Sequence, residues 1–207
     1  MIKSHLDEYE KKYQLQGYKL IAGIDEAGRG PLAGPVVAAA VIFPVGVYLP
    51  EINDSKQLSK KKREQLVEVI KQNALAIEVS VVDVEIIDKI NILEAARLAM
   101  INAYHQLTTK PDFILTDAMD IKVDNHESII KGDQKSVTIA AASIIAKTYR
   151  DKYMQKLDEQ HPEYGFITNQ GYGTKRHLEA INNYGIINQH RKTFEPIKTI
   201  IKIKGEI

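Results

Sequence analysis

Short apolar runs alternate with segments of helical periodicity along this chain, and this alternation restricts the folds open to it. Five runs have the length and composition of buried strands and are bounded by glycine, proline or charged residues. We predict strands at residues 19–25, 36–43, 76–82, 113–116 and 128–130. Apolar residues at helical spacing predict helices at residues 59–72, 91–107, 136–160 and 175–183, with an irregular tail after them. Strands and helices interleaved in this way indicate an α/β protein.

The length of the chain favours one principal domain. It has 207 residues, of which 44% are hydrophobic, and neither a repeat nor a linker-like segment divides them. We assign residues 1–18 to a leading segment with weak helical spacing, free to be flexible and without a catalytic role. Residues 19–160 form the predicted principal domain, and residues 161–207 form a small helical extension packed on it.

Composition excludes several classes of function. Cysteine is absent, which excludes disulfides, thiolate zinc sites and cysteine nucleophiles, so carboxylates or histidines must hold any metal. Lysine and arginine (28) nearly balance aspartate and glutamate (27), so a surface for nucleic acid must be local. The longest apolar run is far shorter than the roughly 20 residues of a membrane-spanning helix, and the first residues lack the pattern of a signal peptide. We therefore expect a soluble, cytoplasmic protein.

Acidic residues stand where the predicted buried strands end. Asp25 and Glu26 end the first strand, Asp117 follows the fourth, and Asp133 shortly precedes the longest helix. Each of them alone is also explained as an ordinary strand-end or helix-cap residue. Together, at the end of apolar strands, they are costly unless a cation offsets their charge. An oxygen-only cluster of this kind suits Mg²⁺ or Mn²⁺.

Two geometric conditions limit this cluster. Successive side chains of a strand point to opposite faces, so Asp25 and Glu26 share a site only if Glu26 already lies in the turn that Gly28 begins. Asp151 is the competing acid on the long helix. Because 18 helical residues span about 27 Å, it cannot readily join a compact cluster with Asp133, and we assign it a structural role or one at the periphery of the site.

The loop after the first strand has the composition of a phosphate-contacting loop. Gly28 and Gly30 allow a ligand to approach the backbone, and Arg29 between them can bind a phosphate with two hydrogen bonds. The pattern Gly28-x-Gly30-x-x-Ala33 also matches a dinucleotide-binding fingerprint. That fingerprint must open a helix, whereas Pro35 and an apolar strand follow here, so we reject it.

Two further segments carry groups that suit nucleic acid. Tyr172 lies between two glycines and is followed by basic residues, so its ring can pack on a sugar or base; a tyrosine that fills its own loop is the alternative. Lys56 and the cluster at residues 60–63 can contact phosphates, although a lysine-rich helix start is often only a solvated surface.

Six motifs occur in one order between residues 20 and 196, and together they resemble those of bacterial ribonuclease HII. They are IDEAGRGP at 24–31, DSK at 54–56, DAM at 117–119, KGD at 131–133, AAASIIAK at 140–147 with RD at 150–151, and GYGT at 171–174 with His177. A tail with His190-Arg191, Phe194 and Pro196 extends the resemblance to residue 196. Arg29 and Asp133 favour type HII over the related type HIII, which has Gly-Thr-Gly and a glutamate at these positions.

The resemblance implies a ribonuclease H fold, with a five-stranded mixed sheet flanked by helices. It implies an endonuclease, dependent on Mg²⁺ or Mn²⁺, that acts on RNA paired to DNA and cuts 5′ of single ribonucleotides in duplex DNA. The catalytic and metal-binding positions are then Asp25, Glu26, Asp117 and Asp133. We expect two-metal hydrolysis that leaves a 3′ hydroxyl and a 5′ phosphate.

The same resemblance implies the substrate contacts. Gly28, Arg29 and Gly30 would read the 2′ hydroxyl, and Tyr172 would sense the junction from RNA to DNA. The remaining expected substrate-binding residues are Lys56, Ser143, Lys147, Thr174 and His177. The expected partner is an RNA/DNA hybrid or a ribonucleotide-containing duplex, bound by a monomer. A non-catalytic nucleic-acid-binding protein is the alternative, although four carboxylates would repel phosphate unless cations bridged them.

Overall fold

The computed structural model describes residues 6–52, 55 and 58–204 of the chain. Its centre is one mixed sheet of five strands in the order β3-β2-β1-β4-β5. The strands are β1 (Ile21–Ala27), β2 (Val36–Ile42), β3 (Ala76–Val82), β4 (Phe113–Asp117) and β5 (His126–Ile129). β1 runs antiparallel to β2 and parallel to β4, while β3 and β5 are the outer strands. The predicted α/β architecture with a five-stranded mixed sheet is confirmed.

Helices cover both faces of the sheet. They are α1 (Glu8–Gln14), α2 (Lys60–Asn73), α3 (Val84–Ile90), α4 (Ile92–Gln106), α5 (Val137–Gln160), α6 (Phe166–Asn169), α7 (Lys175–Tyr184) and α8 (Ile197–Lys204). α4 packs its alanine-rich side on one face, and α5 packs on the other with α2 beside it. Every residue of β2 is buried, since the strand has helices on both sides.

Close approach of α5 to β1 depends on the absence of one side chain. A Cβ atom at Gly23 would lie 2.1 Å from the carbonyl carbon of Thr138 and 2.2 Å from the amide nitrogen of Ile139, both in the first turn of α5. Backbone atoms cannot move aside as a flexible side chain can. Gly23 therefore sets the distance between the longest helix and the central strand, and with it the position of everything that α5 carries.

Three helices differ from the sequence predictions, and one of them, α6, is a single turn in a segment where a loop is expected. The tail was predicted to be irregular, but residues 197–204 form α8, and Ile197 is fully buried against the C-terminal apolar cluster. α3 was not predicted, because its seven residues are too few to show a clear helical period. The last strand is shifted, since β5 spans His126–Ile129 where residues 128–130 were predicted.

The described segment before β1 contains the helix α1. α1 places Glu10 in the interior, where one carboxylate oxygen accepts hydrogen bonds from the Ser136 hydroxyl (2.6 Å), the Thr138 amide (3.0 Å) and the Thr138 hydroxyl (2.7 Å). Tyr13 stacks on Phe113 of β4. α1 therefore binds the amino end of α5 through Glu10. The spacing of apolar residues within 1–18 does not predict this contact.

The elements after α5 form a helical layer with a core of their own. Tyr164 and Phe166 stack on each other and pack with Met154 of α5 and with Leu32 and Ala33 of the β1–β2 loop. This layer therefore touches the loop that follows the acidic pair. Among the described residues, no helix is long and apolar enough to cross a membrane.

Candidate active site

A cleft of about 410 Å³ opens where β1 and β4 end. The two strands are parallel neighbours, so their final residues meet at one edge of the sheet, where α5 supplies a third side. The described lining consists of Asp25, Glu26, Ala27, Gly28, Arg29, Gly30, Ser55, Arg63, Asp117, Ser143, Lys147, Arg150 and Tyr172. It combines acidic, glycine-rich, basic and aromatic groups that are distant in the sequence.

Asp25 is the most deeply buried acid of the cleft. Its Oδ1 atom accepts a hydrogen bond from the Glu26 amide at 2.7 Å, and Ser143 of α5 also bonds to its carboxylate. Burial, followed by the charges of Glu26 and Asp117, raises the pKa of Asp25 well above its usual range. Asp25 thus carries an electrostatic cost, and a bound cation would offset it.

Glu26 faces the same cleft although it lies within β1. We expected it to share a site with Asp25 only from the turn at Gly28, and that condition was wrong, because Glu26 pairs with Ala38 inside the sheet. Both acids line the cleft because the cleft lies at the end of β1, where side chains from both faces of the strand can reach it. Burial raises the pKa of Glu26, while Arg29, with Nη1 3.4 Å from Oε1, opposes the rise. Its other oxygen, Oε2, is buried without a hydrogen-bond partner.

Asp117 joins β4 to the segment that leads into α5. Its Oδ1 atom accepts a hydrogen bond from the Gly132 amide at 2.8 Å, so the turn that carries the neighbouring Asp133 is attached to the end of β4. Asp133 is buried beside the cleft, and the described lining does not include it. Within the described part of the chain, no group of three histidine, aspartate or glutamate side chains lies close enough together to hold a metal ion.

A basic wall faces the acids. Asp151 is buried on α5, and its two oxygens pair with Nη2 of Arg63 at 2.9 Å and with Nζ of Lys147 at 2.7 Å. Both cations line the cleft. Asp151 therefore holds two basic side chains in place, which agrees with the structural role predicted for it. Arg63 follows the lysines that start α2 in the sequence, but its side chain pairs with Asp151 across 88 residues and donates to the Leu58 carbonyl at 2.7 Å.

The glycine loop and the tyrosine meet at the mouth of the cleft. A Cβ atom at Gly30 would lie 3.2 Å from the Tyr172 ring, so the ring rests on the loop backbone. Tyr172 is half exposed, which excludes the alternative that it only fills its own loop. No helix follows Gly30, because the chain continues into β2 at Val36, and this confirms the rejection of a dinucleotide site.

The other predicted substrate residues have different surroundings. Ser143 and Lys147 line the cleft, whereas Lys56 lies outside the described residues. Thr174 is the N-cap of α7 and accepts a hydrogen bond from the His177 amide. His177 is fully buried, and both ring nitrogens are engaged in hydrogen bonds, so it does not face the cleft. These last two residues shape the loop around Tyr172.

Two buried arginines were not predicted as part of the site. Arg150 of α5 donates to the carbonyls of Ala33, Pro35 and Gln170, and Arg191 donates to those of Gly28, Arg29 and Gly34. For Arg150, the available signal was its position next to Asp151 in a helix rich in small residues. The pair His190-Arg191 in the tail was the available signal for the second, but its partners lie more than 150 residues away and could not be predicted from it.

Comparison with known proteins agrees with this geometry. The family model described as Ribonuclease HII matches residues 22–197. A ribonuclease HII of Acholeplasma laidlawii is 61% identical over 194 residues, covering 94% of this chain and 96% of that protein. One from a Geobacillus species is 54% identical over 202 residues, which cover 97% of this chain and 73% of that protein.

The fold has a similar counterpart among solved structures. The crystal structure of the ribonuclease H2 from Pyrococcus horikoshii superposes with a TM-score of 0.78 at 27% identity, covering 91% of this chain and all of that one. Sequence, fold and the arrangement of the cleft lead to the same assignment. The chain belongs to the ribonuclease HII family and is a ribonuclease H, a nuclease that acts on RNA/DNA hybrids.

Proposed function

We propose that this protein cuts the RNA strand of RNA/DNA hybrids and incises duplex DNA on the 5′ side of a single ribonucleotide. The products would carry a 3′ hydroxyl and a 5′ phosphate, and the reaction would require Mg²⁺ or Mn²⁺. One observation carries this proposal: the buried Asp25, next to Glu26 and Asp117, lies in the same cleft as a glycine loop and an exposed tyrosine.

The residues of the cleft fit divalent ions. Asp25, Glu26 and Asp117 present only oxygen ligands, which Mg²⁺ and Mn²⁺ prefer, and Asp133 lies one residue beyond the Gly132 amide that binds Asp117. The Oε2 atom of Glu26 is buried without a hydrogen-bond partner, so it could accept a hydrogen bond or bind a cation. Repulsion opposes the close approach of these carboxylates, and a bound cation would remove it. We assign the metal-binding role to these four acids.

The chemistry that divalent ions supply when bound here is activation of a water molecule and stabilisation of the leaving 3′ oxygen. The chain itself would orient the substrate. Arg63 and Lys147 line the same cleft as the acids and would hold phosphates of the substrate. The loop at residues 28–30 would contact the 2′ hydroxyl, which distinguishes RNA from DNA. Tyr172 would pack on the sugar after the ribonucleotide.

The test uses a labelled duplex that contains one ribonucleotide, incubated with purified protein in Mg²⁺ or in EDTA. We expect a single cut 5′ of the ribonucleotide in Mg²⁺ and none in EDTA. The alternative, a non-catalytic nucleic-acid-binding protein, would bind the duplex equally in both and leave it intact. That result would disprove the proposed activity.

Asp117→Asn provides the matched variant. The amide keeps an oxygen that accepts the Gly132 hydrogen bond and removes one charge, so folding is preserved and Mg²⁺-dependent cleavage should fall by at least about a hundredfold. Asp120→Asn, at an exposed position three residues later, is the control and should cleave like the wild type. Full Mg²⁺-dependent activity in Asp117→Asn would exclude the role assigned to Asp117.

A further inference from the structure

The chain before α8 runs alongside the glycine loop. In this tail segment (residues 186–191), the carbonyl of Gln189 accepts a hydrogen bond from the Gly34 amide at 2.8 Å. The Arg191 amide donates to the Leu32 carbonyl, also at 2.8 Å, so the tail segment pairs with the loop like a short antiparallel strand. Leu32 in turn donates its amide to the carbonyl of Gly171, the residue before Tyr172.

Arg191 holds the backbone of the loop by its carbonyl groups. Its guanidinium is fully buried and donates to the carbonyls of Arg29 (2.8 Å), Gly28 (2.5 Å) and Gly34 (2.8 Å). Because a trans peptide directs its N–H opposite to its C=O, the amides of Arg29 and Gly30 are turned away from this guanidinium. Burial lowers the pKa of Arg191 to about 9, which leaves it charged at neutral pH. Because the partners of Arg191 are backbone carbonyls and not a carboxylate, its hydrogen bonds fix the conformation of the loop.

His190, the preceding residue, reaches the backbone at Tyr172 through His177. The Ile187 amide donates to Nδ1 of His190 at 3.0 Å, so a neutral His190 carries its proton on Nε2. That nitrogen lies 3.1 Å from Nε2 of His177, which must accept, and the His177 proton is therefore on Nδ1. From there it donates to the Tyr172 carbonyl at 2.9 Å. Burial lowers the pKa of both imidazoles, which favours the neutral rings that this chain requires.

The two sets of contacts converge on one place. The ring of Tyr172 rests on Gly30, so a shift of either loop changes the contact between them. We propose that His190 and Arg191 are positioning residues that set the 28–30 loop and Tyr172 against each other, and that selectivity for a ribonucleotide followed by DNA depends on this pair. The inference rests on the proposed function, since it concerns how the same cleft recognises its substrate.

The first experiment measures kcat/KM on a duplex with a single ribonucleotide and on a continuous RNA/DNA hybrid. His190→Leu removes the donor to His177, so we expect the ratio of the two values to fall about tenfold, as for a lost hydrogen bond to a buried group. His190→Gln keeps an N–H donor and should recover most of the ratio. Lys192→Ala changes an exposed neighbour in the tail and should leave the ratio unchanged.

A double-mutant cycle separates positioning from a general loss of structure. If His190 acts through Tyr172, His190→Leu should have no further effect on the ratio in a Tyr172→Ala background. Effects that add independently in the double variant would overturn the proposed path.

Arg191→Lys tests the other positioning residue, because lysine keeps the charge but lacks the planar guanidinium group. It should lose the preference for a ribonucleotide-containing duplex over the all-DNA duplex, measured by binding in Ca²⁺.

A measurement on the wild-type protein guards against variants that do not fold. Nitrogen NMR shifts of the histidine rings at neutral pH should show a proton on Nε2 of His190 and on Nδ1 of His177. The opposite tautomers would contradict the hydrogen-bond chain whatever the activity. Failure of the wild type to incise at a ribonucleotide would contradict the proposed function. An active wild type, together with variants whose ratio of the two kcat/KM values is unchanged, would contradict only this inference.

Discussion

At the scale of single residues, the buried carboxylates of the cleft repel one another, and bound cations would offset this repulsion. Asp25 is buried with two other carboxylates near it, and hydrogen bonds from Ser143 and the Glu26 amide only partly compensate. An acid in this position destabilises the folded chain when ionised and alone. The same position makes it a strong ligand once a cation is present, so stability and function act against each other here.

Asp25→Asn should separate these two effects. The amide oxygen still accepts the Glu26 amide, while the repulsion with Glu26 and Asp117 disappears. We expect the melting temperature in EDTA to rise by a few degrees, since about 1 kcal/mol corresponds to about 2–4 °C in a domain of this size. Stabilisation by Mg²⁺ should be largely lost in the same variant. A lower melting temperature in EDTA would show that the charge of Asp25 is already compensated in the folded chain.

At the scale of elements, α5 organises the site. It carries Ser143, Lys147 and Arg150 into the cleft, and Gly23 allows its first turn to press against β1. Glu10 of α1 binds the same turn, because its carboxylate accepts a hydrogen bond from the Thr138 amide. A single helix therefore connects the leading segment, the central strand and the basic wall.

Gly23→Ala tests the packing of α5 on β1. The added methyl would overlap the helix backbone, so we expect a loss of more than about 3 kcal/mol in unfolding free energy, beyond the usual range for overpacking. Gly46→Ala is the control, because open space surrounds that position and only its positive φ of 79° costs about 1 kcal/mol. Urea unfolding measures both, and equal losses would contradict the close contact at Gly23.

Glu10→Ala tests the link between α1 and α5. It leaves the Thr138 amide and two buried hydroxyls without their acceptor, which should cost about 1–3 kcal/mol in unfolding free energy. Glu8→Ala, an exposed change on the same helix, should cost less than about 0.5 kcal/mol. A loss as small as that of Glu8→Ala would mean that α1 adds nothing to the stability of the domain.

At the scale of the whole molecule, the C-terminal layer and the sheet form one unit. The tail segment pairs with the β1–β2 loop, and a buried histidine pair joins it to the tyrosine loop. Both rings must stay neutral, because a second proton would place two N–H groups against each other between His177 and His190. Acidification should therefore loosen this layer.

The pH dependence of stability follows from His190. Burial, with the neighbouring His177, lowers its pKa to about 4, so between about pH 6.5 and 4 the unfolded chain binds the proton and the folded chain does not. Stability from His190 is present above pH 6.5 and is lost as the pH falls. We expect the wild type to lose about 3 kcal/mol more than His190→Leu over this range. Raised carboxylate pKa values act in the opposite direction, but equally in both proteins. Parallel curves from chemical unfolding at several pH values would contradict a buried neutral His190.

The sequence alone determined much of the fold and the acidic half of the site. Apolar runs of strand length, separated by helical periods, were enough to predict five strands and an α/β protein, because strand and helix periodicity are local properties. The single mixed sheet was implied by the family resemblance. Asp25 and Asp117 were recognisable because a charge that follows a buried strand needs compensation, and parallel neighbours bring strand ends together. The motifs in order supplied the family, and comparison confirmed it.

The tertiary structure alone decided which distant groups complete the cleft. Arg63 lines the cleft and pairs with Asp151, Arg191 binds carbonyls of the loop after β1, and His177 is directed to His190 rather than to the cleft. Each of these contacts joins segments far apart in the chain, and their residue types are equally typical of a solvated surface. A hydrogen bond between such segments depends on the packed positions of whole elements, and no local pattern encodes those positions.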